Sequence, residues 1–251
     1  MARRARLRPV VTTGLPAVPL TKRRAGLRPP TYSAAVSSYA PLNVLIRTSR
    51  LELRAATDER LEALAPLVAA GQAMADPPPW DDPSSFYEPD PEARVNGWLQ
   101  AVWRGRGTVR PDAWRLSFVV FVDDEPVGQQ DLTGHDFNDF GTVESTSWIA
   151  TDHRGRGLGT EMRAAILHLA FDGLGASEAH SEGAVDNAAS NAVSERLGYE
   201  PNGVSWATHQ GKPVMGQRWR LTRETWLPGR RDDIELDGVD HCRRTLGIAS
   251  A

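Results

Sequence analysis

Apolar and polar residues alternate with two different periods along the chain, and the change of period separates predicted strands from predicted helices. Residues 51–54 alternate at every second position, as a half-buried strand does. Thr57 then caps a predicted helix in which Leu61 and Leu64 recur at helical spacing, and Gly71 ends this helix. The periodic part of the chain therefore begins with a strand followed by a helix.

The same two periods continue to residue 226 and give a mixed series of elements. Two of the strands, joined by the turn at 123–126, form a predicted antiparallel hairpin. The predicted strands cover residues 114–122, 127–132, 142–149, 176–184, 199–208 and 213–221. The predicted helices cover residues 91–103, 158–173 and 188–197, and residues 222–226 form a short predicted turn or helix. This order is typical of the α/β (α+β) class.

Three stretches show neither period. Residues 76–91 are dense in proline and aspartate and carry Trp80, Phe86 and Tyr87, which is typical either of a lid or of an ordered surface connection. Residues 1–40 are rich in arginine and proline, which predicts a disordered basic arm; a targeting peptide and a start codon assigned too far upstream are the alternatives. Residues 227–251 read as a charged tail, whose apolar patch at 234–239 either adds an edge strand or stays mobile.

The charge of the chain is unevenly distributed. Of its 29 lysine and arginine residues, ten lie in the first 50 positions, where there is no acidic residue, so residues 51–251 carry a net charge of −13. An acidic body repels nucleic acid and favours amine-bearing substrates, so nucleic acid is expected only at the basic arm. No apolar run approaches the roughly 20 residues of a membrane span, and the single cysteine, Cys242, fits a reducing cytoplasm. We therefore expect a cytoplasmic protein without membrane contact, as a monomer or a homodimer.

A glycine-rich turn joins the predicted strand 142–149 to the next helix. Its sequence, Arg154-Gly155-Arg156-Gly157-Leu158-Gly159-Thr160, places three alternating glycines at the mouth of a helix. Such a turn lets a ligand meet unpaired backbone N–H groups and the positive end of the helix dipole, which together favour a phosphate. A nucleotide P-loop would need a lysine that is absent here, and the dinucleotide fingerprint would need a glycine in place of Thr160.

The spacing that does match is Arg/Gln-x-x-Gly-x-Gly/Ala, filled by Arg154, Gly157 and Gly159. It resembles the pyrophosphate motif of the GNAT acetyltransferase superfamily. A second motif runs from Asn187-Ala188-Ala189-Ser190 to Leu197-Gly198-Tyr199. It resembles the signature of the branch that acetylates N-terminal alanine or serine of ribosomal proteins.

The resemblance implies a GNAT domain over residues 41–226. Its fold would be a central mixed, mostly antiparallel, twisted sheet of about seven strands, flanked by helices and splayed between the fourth and fifth strands. Its implied activity is the transfer of an acetyl group from acetyl-CoA, the cosubstrate, directly to a primary amine of a protein N-terminus or a small molecule. No metal is expected, because the H-x-E pattern at His180 to Glu182 lacks the C-x-x-C of a deaminase zinc site.

The resemblance also assigns cofactor-binding residues. The loop N–H groups would hold the pyrophosphate with arginine charge at the rim, and the backbone leaving the fourth strand would pair with pantetheine and polarise the thioester. Asn187 would hold the pantetheine amide. The cofactor-binding set is Trp148, Ile149, Ala150, Arg154, Gly155, Arg156, Gly157, Leu158, Gly159, Thr160, Asn187 and Ser190.

An amine acceptor is mostly protonated at neutral pH, so a base must remove its proton directly or through water. Glu144 is the first candidate because its strand frames the acetyl site, and Asp131 and Glu182 are the alternatives. Glu182 and Asp186 could instead bind the substrate ammonium.

The departing thiolate needs a proton donor. Many superfamily members place a tyrosine seven residues after the motif asparagine, where this chain has Ser194. Ser190 matches the serine proposed for this role in the ribosomal-protein branch, and Ser194 is the second candidate. The missing tyrosine keeps another function open, that of a catalytically weak domain that binds acyl-CoA as a sensor or interaction module.

Overall fold

A mixed sheet of nine strands runs through the part of the chain that the computed structural model describes, residues 37–74, 86–209 and 211–249. The strands are β1 (Leu45–Arg47), β2 (Glu52–Ala55), β3 (Ala113–Val122), β4 (Glu125–His135), β5 (Thr142–Ile149), β6 (Glu178–Ala184), β7 (Glu200–His209), β8 (Lys212–Thr222) and β9 (Glu235–Asp237). The helices are α1 (Asp58–Ala69), α2 (Pro91–Gly107), α3 (Phe137–Phe140), α4 (Leu158–His168), α5 (Ala188–Arg196), α6 (Arg223–Trp226) and α7 (Val239–Thr245). In space the strands follow the order β7-β8-β6-β5-β4-β3-β2-β1-β9.

The sheet has nine strands rather than the expected seven or so. The additional strands, β1 and β9, have three residues each and pair with one another at one edge. Three residues are too few to show a two-residue period, which is why the hydrophobic pattern does not reveal them. Since β9 lies in the apolar patch 234–239, this patch contains an edge strand. The following helix, α7, buries Cys242, and Leu246 directly after the helix is also buried.

Helices cover both faces of the sheet. On the face that we call the front, α1 and α2 bury Leu61, Leu64 and Trp98 against Val119 of β3. On the back face, α4 buries the apolar stripe that includes Met162 and Ile166. Because side chains alternate along a strand, successive side chains of β3 to β6 point to the front face and to the back face in turn. This alternation determines which residues can meet at the site.

Helix α2 is four residues longer than its sequence predicts, because it continues to Gly107 instead of ending at Trp103. Arg106 in the added turn donates to the Asp58 carboxylate at 2.7 Å and to the Ala56 carbonyl at 2.7 Å. The indole of Trp103 also donates to Asp58, at 3.1 Å. These contacts to the start of α1 outweigh the low helix propensity of the two glycines.

The only parallel pair among the described strands, β5 and β6, separates after three residues. Thr142 to Glu144 pair with Glu178 to His180, and beyond this point β5 continues beside β4 while β6 continues beside β8. The gap, which we call the wedge, is the predicted splay between the fourth and fifth strands of the expected seven, and the structure confirms it. On the back face the wedge lies between α4, which follows β5, and α5, which follows β6.

Most of the proline-rich segment and the basic arm lie outside the described residues; of the predicted segment 76–91, only 86–91 belong to the described part. No helix within the described ranges is long and apolar enough to cross a membrane.

Candidate functional site

The glycine-rich loop opens the back of the wedge at the start of α4. Gly155 and Gly157 adopt φ of +75° and +77°, in the left-handed region that side chains disfavour, and Gly157 is the N-cap of α4. A Cβ placed on Gly155 or Gly159 would meet nothing within 4 Å, and one on Gly157 would meet only Arg50, at 3.6 Å. The glycines therefore keep an open space in front of the backbone.

The amides at the start of α4 differ from those of the preceding turn in their hydrogen bonding. Glu161 makes the first helical bond, to the Gly157 carbonyl at 3.2 Å, while the N–H groups of His153 and Arg154 are used in the preceding turn. Among the described residues, none accepts a hydrogen bond from the N–H groups of residues 155–160. Six orphan donors at the positive end of an 11-residue helix make a cradle that fits a diphosphate.

The two arginines of the loop differ in their roles. Arg154 donates to the carbonyl of Ile149 at 2.9 Å and to that of Met74 at 2.6 Å, so it braces the loop instead of standing free at the rim. Burial lowers the pKa of this guanidinium from its ordinary value. Both arginines are exposed, but Arg156 donates to the Asp152 carbonyl at 3.0 Å and not to β5, which leaves it closer to the expected position at the rim.

Arg50 belongs to the same site, although no sequence motif points to it. Its guanidinium donates to the Arg156 carbonyl at 3.1 Å and to the Glu161 carboxylate at 2.6 Å. Thr48 also donates to Glu161, at 2.6 Å. Burial raises the pKa of Glu161, but the hydrogen bonds from Thr48 and Arg50 and the charge of Arg50 together lower it by more, so the pKa of Glu161 is below its ordinary value. This carboxylate ties the loop before β2 to the first turn of α4.

The register of β5 decides which amides line the wedge. The N–H of Ala150 donates to the Val127 carbonyl at 2.8 Å, inside the sheet. It is therefore not free to bind a cofactor, contrary to the expectation from the motif. Trp148 lies opposite Gln129 of β4, and its backbone points the same way as that of Ala150. Alternation then directs the backbone groups of Ser147 and Ile149 into the wedge. Ser147 is thus a residue that the motif reading missed.

Helix α5 closes the other side of the wedge. The Asn187 side chain caps the helix by accepting from the Ser190 N–H at 3.1 Å. The Ser190 hydroxyl lies over Gly183 of β6, where a Cβ would come within 3.2 Å of it. Ser194, one turn further on, is 1% exposed, and its hydroxyl has no hydrogen-bond partner among the described residues. Of the two candidate donors, Ser190 is the more accessible.

The candidate bases lie on the front face. Glu144 is exposed on β5 at the last residue that pairs with β6. Asp131 is buried and accepts from Arg115 at 2.6 Å and from Gln129 at 3.0 Å. Glu182 is half-buried and accepts from the Ser205 hydroxyl. Glu144 is therefore the one of the three without such a partner among the described residues.

Aromatic rings flank this front side of the wedge. Phe86 meets Trp148 edge to face with ring centroids 5.7 Å apart, and Tyr87 meets His209 at 6.2 Å. Asp186, the other candidate for binding the substrate ammonium, is exposed in the turn between β6 and α5. No group of three or more His, Cys, Asp or Glu side chains in the described ranges is arranged as metal ligands are.

Comparison with known proteins places this architecture. Residues 50–200 match the family model of the acetyltransferase (GNAT) domain. RimJ of Mycobacterium smegmatis, solved with CoA-disulfide, is similar at a TM-score of 0.61 and 20% identity, over 74% of this chain and 90% of that one. The ribosomal L7/L12 α-N-protein acetyltransferase RimL, in complex with coenzyme A, is similar at 0.55 and 20%, over 71% and 97%. Spermidine N-acetyltransferase of Vibrio cholerae, with CoA and spermine, gives 0.55 and 19%, over 71% and 99%.

Proposed function

The chain belongs to the GNAT acetyltransferase family, and on that premise we propose that it transfers the acetyl group of acetyl-CoA to a primary amine. The observation that carries the proposal is the open loop of residues 155–160, whose six N–H groups have no partner among the described residues. The similar proteins solved with CoA or CoA-disulfide support this choice of cosubstrate.

Each part of the site has a role in this proposal. Acetyl-CoA supplies an acetyl group activated as a thioester. The loop N–H groups would hold its diphosphate, with Arg156 at the rim. The wedge-facing backbone of Ser147 and the N–H of Ile149, whose carbonyl already accepts from Arg154, would hold pantetheine and polarise the thioester carbonyl. Asn187 and Ser190 would contact the pantetheine arm from the α5 side.

Proton transfer would be divided between the two faces of the sheet. Glu144, exposed on the front face, would accept the proton of the acceptor ammonium directly or through water. Ser190, on the back face, would donate to the departing sulfur. A thiol has an ordinary pKa of about 8.5, so a weak hydroxyl donor or water is sufficient for this step.

The front face would receive the acceptor amine. Carboxylates and aromatic faces both attract an ammonium group, and both kinds of group stand beside the wedge here. The groups concerned are Glu144, Glu182, Phe86, Tyr87, Trp148 and His209. The proteins similar to this chain include acetyltransferases of a ribosomal-protein α-amine and of spermidine, so both acceptor classes are worth testing.

Activity can be measured by incubating the full chain with acetyl-CoA and an amine panel. The panel contains peptides with N-terminal alanine or serine, the same peptides blocked by N-acetylation, and spermidine. We expect free CoA and one acetylated amine to appear in equal amounts, with no product from the blocked peptides. CoA release without acetylated amine would contradict the proposal.

A sensor is the second candidate function, because Ser194 stands where many family members carry the tyrosine donor. A sensor would bind acetyl-CoA with no turnover on any amine of the panel. Calorimetry with acetyl-CoA, performed beside the activity assay, separates binding without turnover from the absence of binding.

A further inference from the structure

A buried arginine lies beneath the wedge without a carboxylate partner. Arg163 of α4 is 5% exposed, and its guanidinium donates to the Ser181 hydroxyl of β6 at 2.8 Å. Among the described residues, no aspartate or glutamate oxygen lies within 4.0 Å of it. Burying a charge without a counter-charge is costly, so buried arginines are usually paired.

Hydroxyl groups, not carboxylates, surround this cation. The Tyr199 hydroxyl lies beside the Ser145 hydroxyl and the Arg163 guanidinium. Burial raises the pKa of Tyr199, and the nearby Arg163 charge opposes that rise. Arg163 Nε, Ser145 Oγ and Tyr199 Oη are all buried without a hydrogen bond of good geometry in the described part of the chain. The cluster is therefore only partly satisfied.

The cluster sits where β5 and β6 separate. The last pair between the strands is Glu144 with His180, and Ser145 and Ser181 are the next residue of each strand. Both serines point to the back face, between α4 and α5. Because side chains alternate, Glu178, His180 and Glu182 of β6 and Glu144 of β5 point to the front face, which leaves Tyr199 as the titratable group that faces Arg163.

A cation held at the tip of the wedge is suited to a negative charge that appears only during the reaction. Resting on the function proposed above, we propose that Arg163 is the electrostatic partner of the sulfur of coenzyme A. As the amine nitrogen bonds to the acetyl carbon and the carbon–sulfur bond breaks, the electron pair goes to sulfur and the amine proton passes to the base. Ser190 or water then protonates the thiolate. Arg163 stays protonated and lowers the energy of the thiolate through the poorly solvated floor of the wedge, without transferring a proton.

The pKa of the bound thiol tests this role directly. An opposite charge within about 4–6 Å lowers a pKa by about 1–3, from an ordinary thiol value of about 8.5. The ultraviolet absorbance of the thiolate is followed against pH for CoA bound to the full chain, and the complex with desulfo-CoA, which lacks the sulfur, provides the baseline. Cys242 does not interfere, because burial raises its pKa to about 12.

Wild-type protein should hold bound CoA with a thiol pKa lower by about 1–3 than in free CoA. Arg163→Met should return the pKa to the free value, and Arg163→Lys, which keeps the charge, should retain at least part of the shift. Desulfo-CoA should bind wild type and Arg163→Met with the same affinity, because it lacks the sulfur. A purely structural role of Arg163 predicts instead that Arg163→Met binds desulfo-CoA more weakly than wild type does.

The outcomes separate the two proposals. A wild-type thiol pKa equal to that of free CoA, or a lowered value that persists in Arg163→Met, overturns the role of Arg163 while leaving cofactor binding intact. If Arg163→Met does not fold, an unshifted wild-type pKa still overturns the role, and a lowered wild-type pKa that is unchanged in Arg163→Ala also overturns it. If wild type binds neither CoA nor desulfo-CoA, the proposed function is overturned and this inference with it.

Discussion

Alanine at Gly157 should separate the binding role of the loop from its folding role. Gly157 and Gly155 have φ of +77° and +75°, and neither has a neighbour closer than 3.6 Å to an added Cβ. Alanine at either position thus carries a similar backbone penalty, about 1–2 kcal/mol, without a clash in the free protein. The two differ in function, since Gly157 fills a required glycine of the Arg-x-x-Gly-x-Gly motif and Gly155 a variable position.

A methyl group at the N-cap of α4 would keep a diphosphate from the converging N–H groups. Losing two charge-assisted hydrogen bonds, at about 1.5–3 kcal/mol each, corresponds to a Kd higher by roughly 10² to 10⁴. We therefore expect Gly157→Ala and Gly155→Ala to lower the Tm by similar amounts, while Gly157→Ala loses far more affinity for CoA.

Thermal unfolding and calorimetric titration with CoA measure the two effects independently. Gly155→Ala is the matched control, because it has the same backbone strain in the same loop. A diphosphate site at the N-cap of α4 is ruled out if folded Gly157→Ala binds CoA as tightly as wild type, or if both variants lose the same affinity.

Further predictions concern proton transfer and stability. Ser190→Ala should lower kcat while the Kd for CoA is unchanged; an unaltered kcat would place the donor elsewhere. Glu144→Gln should change the pH dependence of kcat/KM, and a superimposable profile would remove this residue as the base. Glu178 accepts from Arg220 at 2.7 Å, which lowers its pKa from 4.5 to about 2. A carboxyl group whose pKa is lowered on folding stabilises the fold at any pH above its ordinary pKa, and this stabilisation is lost as the pH falls through the folded value. Glu178→Gln should therefore have its full Tm deficit at pH 7, and the deficit should disappear between about pH 4.5 and 2. A deficit independent of pH would contradict this. Cys242, with a pKa raised to about 12 by burial, should react with thiol reagents only after unfolding.

Local patterns were sufficient wherever a feature is encoded in consecutive residues. The strand 142–149 was predicted with the bounds that β5 has, and the glycines at its end adopt the conformation that their spacing suggests. The GNAT resemblance supplied the splay, which depends on strand order and could not be worked out from periodicity. The strand and its glycines could be predicted because both are built from adjacent residues.

Features that depend on contacts between distant segments could not be predicted. Arg50 reaches a loop more than 100 positions away, and no spacing in the sequence records that contact. The choice of Ser147 over Ala150 as a wedge-facing residue depends on the register with β4, which a shift of one residue would reverse. Arg163 lies in an amphipathic helix, and only the packing of α4 on the wedge shows that it is buried.

A crystal structure of the full chain with acetyl-CoA would show directly whether the glycine-rich loop binds the diphosphate. We expect the diphosphate to accept hydrogen bonds from N–H groups of residues 155–160 and pantetheine to lie between β5 and β6. A diphosphate bound elsewhere on the chain, with those N–H groups facing only solvent, would contradict it.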